Sequence, residues 1–154
     1  MNNRSFLYSV LIAGAGMALL GNLPLVNLIN CILCLWVWLG GAAAVLLYRR
    51  FQRNAPALTG GQGAGLGAVA GLVGAVLGFG VYLLTAAVTN PILLSLARTL
   101  DVDLNLPEAG AGGALGGALF FLLLDLIAYP LFGALGGLIT ANMGNKSTAP
   151  PAAV

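Results

Sequence analysis

Four long apolar runs separated by polar turns make up most of this chain, over residues 5–23, 28–48, 63–88 and 113–141. Each is near or above the length of about 20 residues that a helix needs to cross the hydrocarbon of a bilayer. The pattern predicts an all-α integral membrane protein: four transmembrane helices in one compact bundle, a single domain over residues 1–146. Between the third and fourth runs, Asn90-Pro91 reads as an N-cap followed by a proline at the first helical position. It predicts a short helix over 91–100, lying along the membrane interface with Ile92, Leu93, Leu96 and Leu100 apolar and Arg98 polar. Residues 147–154 contain Pro150-Pro151 and no helix signal, which predicts a disordered tail.

Within the runs, small residues recur four apart: Gly63, Gly67 and Gly71; Gly74 and Gly78; Gly112 and Gly116; Gly113 and Gly117; Gly133 and Gly137. Four residues are just over one helical turn, so each set forms a flat stripe on which another helix backbone can lie. Lipid supplies no hydrophobic force between helices, and such close approach is what drives their association. Packing within one glycine-zipper bundle is the plain explanation. The third run, with glycines at 61, 63, 65, 67, 71, 74, 78 and 80, has more faces than one neighbour would use, which points to contacts beyond the monomer.

Composition agrees with the pattern. Only 6% of residues are charged and mean hydropathy is +1.00, so no stretch is polar enough to form a separate soluble domain. Arg4, Arg49, Arg50, Arg53 and Lys146 fall at one face if all four runs cross, whereas Asp101, Asp103 and Glu108 fall at the other with Arg98. The positive-inside rule then puts both termini in the cytoplasm of a bacterial inner membrane. Arg4 and the apolar stretch to Leu20 imitate a secretory signal, but Gly21-Asn22-Leu23-Pro24 is a poor cleavage site and the next run follows at once. The basic residues are scattered over separate loops, and no nucleic-acid partner is expected.

There is no histidine, which excludes His-ligated haem, most zinc sites and any Ser-His or Cys-His nucleophile within the chain. Gly61-Gln-Gly-Ala-Gly-Leu-Gly lacks the Lys-Ser or Lys-Thr of a phosphate cradle. Asp101-Val-Asp103-Leu-Asn105 opens like a calcium loop, but Leu106 occupies the place of its glycine and Gly112 that of its bidentate Glu. No metal site is expected.

Cys31 and Cys34, in Cys-Ile-Leu-Cys at the start of the second run, are a redox candidate at the outer face. In this motif and its topology the chain resembles membrane disulfide-forming proteins of the disulfide bond protein B type. Those proteins relay electrons through a second cysteine pair to a quinone, and this sequence has no further cysteine. The bland alternative is two small packing residues. The stretch Asn30-Cys31-Ile-Leu-Cys34-Leu-Trp36-Val-Trp38, with Gly40-Gly41 and the Arg-bearing turn, also resembles a group of small bacterial four-span membrane proteins of unknown function. That likeness implies topology and no activity. Trp36 and Trp38 are expected to pack on a neighbouring helix; a lipid, quinone or pigment surface is the alternative, and no cofactor is otherwise implied.

Asp125 stands alone inside Phe120-Phe-Leu-Leu-Leu-Asp-Leu-Ile-Ala-Tyr129. A carboxylate at a helix centre costs about 2.5–3.5 kcal/mol in a bilayer unless it finds a partner, a proton or a water-lined cavity. Asn27, Asn30, Thr85 or a carbonyl released by Pro130 are the expected partners. Residues 61–80 followed by the span with Asp125 and Pro130 resemble the proteolipid ring subunits of rotary ATPases. In those, one carboxylate carries the proton or sodium ion, and the resemblance implies that role for Asp125. Ring subunits join the two helices by a short polar cytoplasmic turn, whereas here the connection is long and outside.

Two classes of function follow from the sequence. The first is a non-catalytic membrane protein acting by helix–helix assembly, as a homo-oligomer or an accessory subunit of a larger complex, with the bilayer and membrane subunits as partners. The second puts Asp125 to work in proton or ion translocation, or the Cys31/Cys34 pair in thiol and quinone redox chemistry.

Overall fold

The computed structural model describes residues 3–22, 35–52, 57–99 and 111–146. They form four helices: α1 (Asn3–Gly21), α2 (Leu35–Phe51), α3 (Gly60–Thr99) and α4 (Ala111–Lys146), with no strand among the described residues. Asn3–Gly21, Gly60–Thr85 within α3 and Gly116–Gly144 within α4 are long and apolar enough to cross a membrane. The 17 described residues of α2 rise about 25 Å, a little short of the roughly 30 Å hydrocarbon core.

The helices alternate in direction. Gly14 of α1 lies against Ala70 and Val73 of α3, and Asn22 against Gly78, so these two run parallel. Gly63 and Gly67 of α3 meet Gly137 and Gly133 of α4 in reverse order, so that pair is antiparallel. Arg49 near the end of α2 reaches Ala141 near the end of α4, which makes α2 parallel to α4. One end of the bundle therefore gathers Arg4, Arg49, Arg50 and the Lys146 end of α4. Helix α3 packs most extensively on α4 and next on α1; α2 bridges α4 and α1, and its contact with α3 is the smallest.

The core is narrow because its residues are small. Ala13, Ala44, Ala70 and Ala141 are buried in it with Val10, Val37, Val45, Met17 and Tyr48, and its largest fully enclosed side chain is Leu66. Helix α3 begins with a reciprocal cap: the Gln62 backbone N–H donates to Thr59 Oγ1 at 3.3 Å, and the Thr59 N–H donates to Gln62 Oε1 at 3.0 Å. Two otherwise orphaned donors of the first turn are thereby satisfied where Gly60 and Gly61 give little helix propensity. Leu58, just before this cap, is buried in the core.

One expected boundary is corrected. Helix α3 runs unbroken from Gly60 to Thr99, so residues 91–99 continue it rather than forming an interfacial helix of their own. Proline's fixed φ is itself helical, so Pro91 forfeits one hydrogen bond without requiring the chain to turn. The apolar runs on either side, Val81 to Val88 and Ile92 to Leu96, are long enough to carry the helix across it. Residues 147–154, the acidic segment 101–108 and the second run before Leu35 lie outside the described residues.

Candidate functional site: a closed glycine ladder and an open carboxylate cleft

Along the α3–α4 pair, each four-residue step forward on α3 is matched by a four-residue step back on α4. A Cβ added at Gly63 would strike the Gly137 carbonyl, one at Gly67 the Gly133 carbonyl, and one at Gly71 the Tyr129 carbonyl. The relation is reciprocal, since a Cβ at Gly133 or Gly137 would strike the carbonyl of Gly67 or Gly63. Gly133 is also a three-way junction: its carbonyl faces both Gly67 of α3 and Gly41 of α2. Gly136 meets the Trp38 carbonyl, Gly40 meets Met17 of α1, and a Cβ added at Gly74 would lie 3.2 Å from Met17 Cβ. Gly41 and Gly136 were not among the stripes singled out from spacing. Their signal is the doublet, Gly40-Gly41 and Gly136-Gly137, in which adjacent glycines serve different neighbours.

Glycines elsewhere behave differently. A Cβ added at Gly78 would be in ordinary contact with Asn22 at 3.7 Å, while one on Gly61, Gly65, Gly80, Gly116 or Gly117 would meet nothing within 4 Å among the described residues. The surroundings of Gly113 lie outside the described residues.

Beyond Gly71 and Tyr129 the ladder stops. The last rung on α4 adjoins Pro130 on its ladder side, where a helix bends most readily because a backbone hydrogen bond is missing. Past this point α3 is held to α1 instead: Asn22 Nδ2 donates to its own helix at Ala18 O (2.8 Å) and across to Gly78 O (3.2 Å). A cleft of about 380 Å³ opens between the helices, lined by Asn22 of α1, Val37 of α2, Phe79 and Tyr82 of α3, and Asp125 and Tyr129 of α4.

Asp125 is half-buried in this cleft and has no hydrogen bond or ion pair among the described residues. Thr85, one of its expected partners, bonds Val81 O and Tyr82 O of its own helix at 2.9 and 3.1 Å, and is exposed. Asn27 and Asn30 lie outside the described residues. Two groups that the sequence did not single out stand in the cleft instead: Asn22, and Tyr129, whose hydroxyl lies 3.0 Å from where a Cβ on Gly21 would be.

Trp38 stacks on Phe132 with ring centroids 6.1 Å apart, and Phe132 in turn lines the cleft. The indole N–H groups of Trp36 and Trp38 are buried without an acceptor among the described residues. Cys31 and Cys34 lie outside the described residues, and no group of three or more potential metal ligands occurs among those described.

At the opposite, basic end, Arg49 Nη2 donates to Ala141 O at 3.0 Å, and its guanidinium occupies the space that a side chain on Gly144 would need. The charged head is thus drawn onto the last turns of α4, where carbonyls carry partial negative charge.

No family model matches this chain, and neither does a curated protein or a solved structure.

Proposed function

We propose that this protein is a four-span component of a bacterial inner membrane, both termini cytoplasmic, that acts without catalysis by helix–helix assembly with copies of itself or with a larger membrane complex. The supporting observation is the set of glycines that packing among the described residues leaves unused. Gly61, Gly65 and Gly80 on α3 and Gly116 and Gly117 on α4 are exposed with open space in front of them. A helical glycine is less favourable than alanine by about 0.5–1 kcal/mol, and close contact with another backbone is what offsets that in lipid. Helix α4 also presents large apolar side chains outward, among them Phe120, Leu123, Leu124 and Ile127. The basic end formed by α1, α2 and α4 supports the cytoplasmic assignment of both termini.

Blue-native electrophoresis of mild-detergent extracts tests it. The expected result is one defined assembly above monomer size, reduced to monomer by Gly65→Leu and preserved by Leu77→Ala. Monomer alone in the unmodified protein would overturn the proposal.

A second function, proton or ion translocation, is favoured by the position of Asp125, a half-buried carboxyl beside a cleft with no hydrogen bond among the described residues. Its test is flux into proteoliposomes: a carrier carboxylate loses flux in Asp125→Asn, and unchanged flux rejects the role.

A further inference from the structure

We propose that the cleft beside Asp125 is a binding site for a monovalent organic cation with an aromatic or otherwise apolar body. The proposal is independent of the assembly and needs no transport. At about 380 Å³, the cleft falls within the roughly 300–1,000 Å³ typical of small-molecule sites. Five aromatic rings line it: Phe79 and Tyr82 from α3, and Phe121, Tyr129 and Phe132 from α4. Ring faces carry negative potential and attract organic ammonium and phosphonium groups, most strongly where water is excluded.

Among the described residues Asp125 is the only charged group in the lining, whose other polar side chains are the amide of Asn22 and the hydroxyls of Tyr82 and Tyr129. Asp125 supplies a carboxyl that no group among the described residues engages, and no lysine or arginine among those residues lines the cleft. Both donor hydrogens of the Asn22 amide are directed to Ala18 O and Gly78 O, so its carbonyl oxygen is the group left for the cleft. The site thus offers acceptors and π faces around an apolar volume. An anion would meet repulsion and a small hydrated metal ion would lack ligands, whereas a large, weakly hydrated cation matches both shape and charge. Exposure of Phe121 and Tyr82 at the rim leaves a side entrance from the apolar surroundings, the phase in which such cations concentrate.

The test uses the full-length protein in lipid nanodiscs, equilibrium dialysis with tetraphenylphosphonium, and its shape-matched anion tetraphenylborate. Saturable phosphonium binding at one per chain is expected, with no saturable borate binding. Asp125→Asn weakens it about tenfold or more, Asp125→Glu retains it, and Leu122→Trp, which adds bulk to the cleft while keeping the carboxyl in the chain, abolishes it. Quenching of Trp38, which backs Phe132, accompanies occupancy. Absence of saturable phosphonium binding, equal binding of the anion, or equal affinity in Asp125→Asn would each overturn the proposal. The cation–anion comparison is made on the unmodified protein and stands even if a variant fails to fold.

Discussion

The two halves of the α3–α4 pair are built from similar residues and behave oppositely. From Gly63 to Gly71 the helices touch through backbone, carbonyl against glycine, with no room for even one methyl group. Beyond Gly71 the same two helices carry Ala75, Gly78 and Gly80 on one side and Gly116 and Gly117 on the other, yet a cleft opens between them. Glycine content therefore does not set helix separation. What differs is what holds each half: in the closed half α2 docks on the same rung, through Gly41 against Gly133, while in the open half Asn22 ties α3 to α1. Close packing supplies stability, and release from it supplies a volume in which a carboxyl stands with no partner among the described residues.

The largest test of this contrast is Gly67→Ala. Its Cβ would overlap the Gly133 carbonyl, which cannot rotate away as a side chain could, so two helix backbones must separate. Overpacking of this kind costs about 3 kcal/mol, read as the shift of an SDS-unfolding curve in mixed micelles. A change below about 0.5 kcal/mol would mean that the ladder is not a rigid contact. Next in size is Arg49→Ala, which removes the charged donor from Ala141 O and separates α2 from the end of α4. Hydrogen bonds to charged groups contribute about 1.5–3 kcal/mol when removed from protected sites; the partly buried setting here places the loss near the lower bound. Arg50→Ala, on the exposed neighbour, is expected to leave the curve in place.

Much of the closed half is legible in the sequence, because a four-residue glycine period has one geometric meaning on a helix. Gly63, Gly67, Gly71, Gly133 and Gly137 all meet the partner backbone. The open half is not legible in the same way. Gly117 has the same spacing as Gly137, and only three-dimensional placement shows that nothing among the described residues faces it. Asp125 stands out in any reading of the chain, but its surroundings depend on where the ladder ends, and residues far apart in sequence decide that: Asn22 reaching Gly78, Gly41 reaching Gly133. The Thr59-x-x-Gln62 cap has a local signature and was readable; the stronger glycine pattern immediately after it masks the signal. At Asn90-Pro91 local preference points to a new helix start, and continuation of α3 overrides it.

That cap gives a smaller prediction on the closed end. Thr59→Ala removes the oxygen that accepts from the Gln62 N–H and leaves Gly60 and Gly61 to begin α3 unaided. A loss of about 1 kcal/mol is expected, with faster amide exchange confined to the first turn of α3. Exchange that instead rises along the whole ladder would show that cap and ladder unfold as one unit.

The smallest effect has the opposite sign and separates the two halves most directly. Gly117→Ala makes the same chemical change as Gly67→Ala, but the new Cβ would meet nothing within 4 Å. With no clash, only helix propensity remains, and replacing a helical glycine by alanine favours the helix by about 0.5–1 kcal/mol. The monomer measured in dilute micelles should therefore be unchanged or slightly more stable. In the assembled membrane form the outcome depends on whether another helix lies on this face. If one does, the added methyl weakens the assembly on blue-native gels while the monomer's unfolding curve holds or improves. If both measurements improve together, the face meets only lipid, and the contacts between copies must be sought on the Gly61 and Gly65 face of α3.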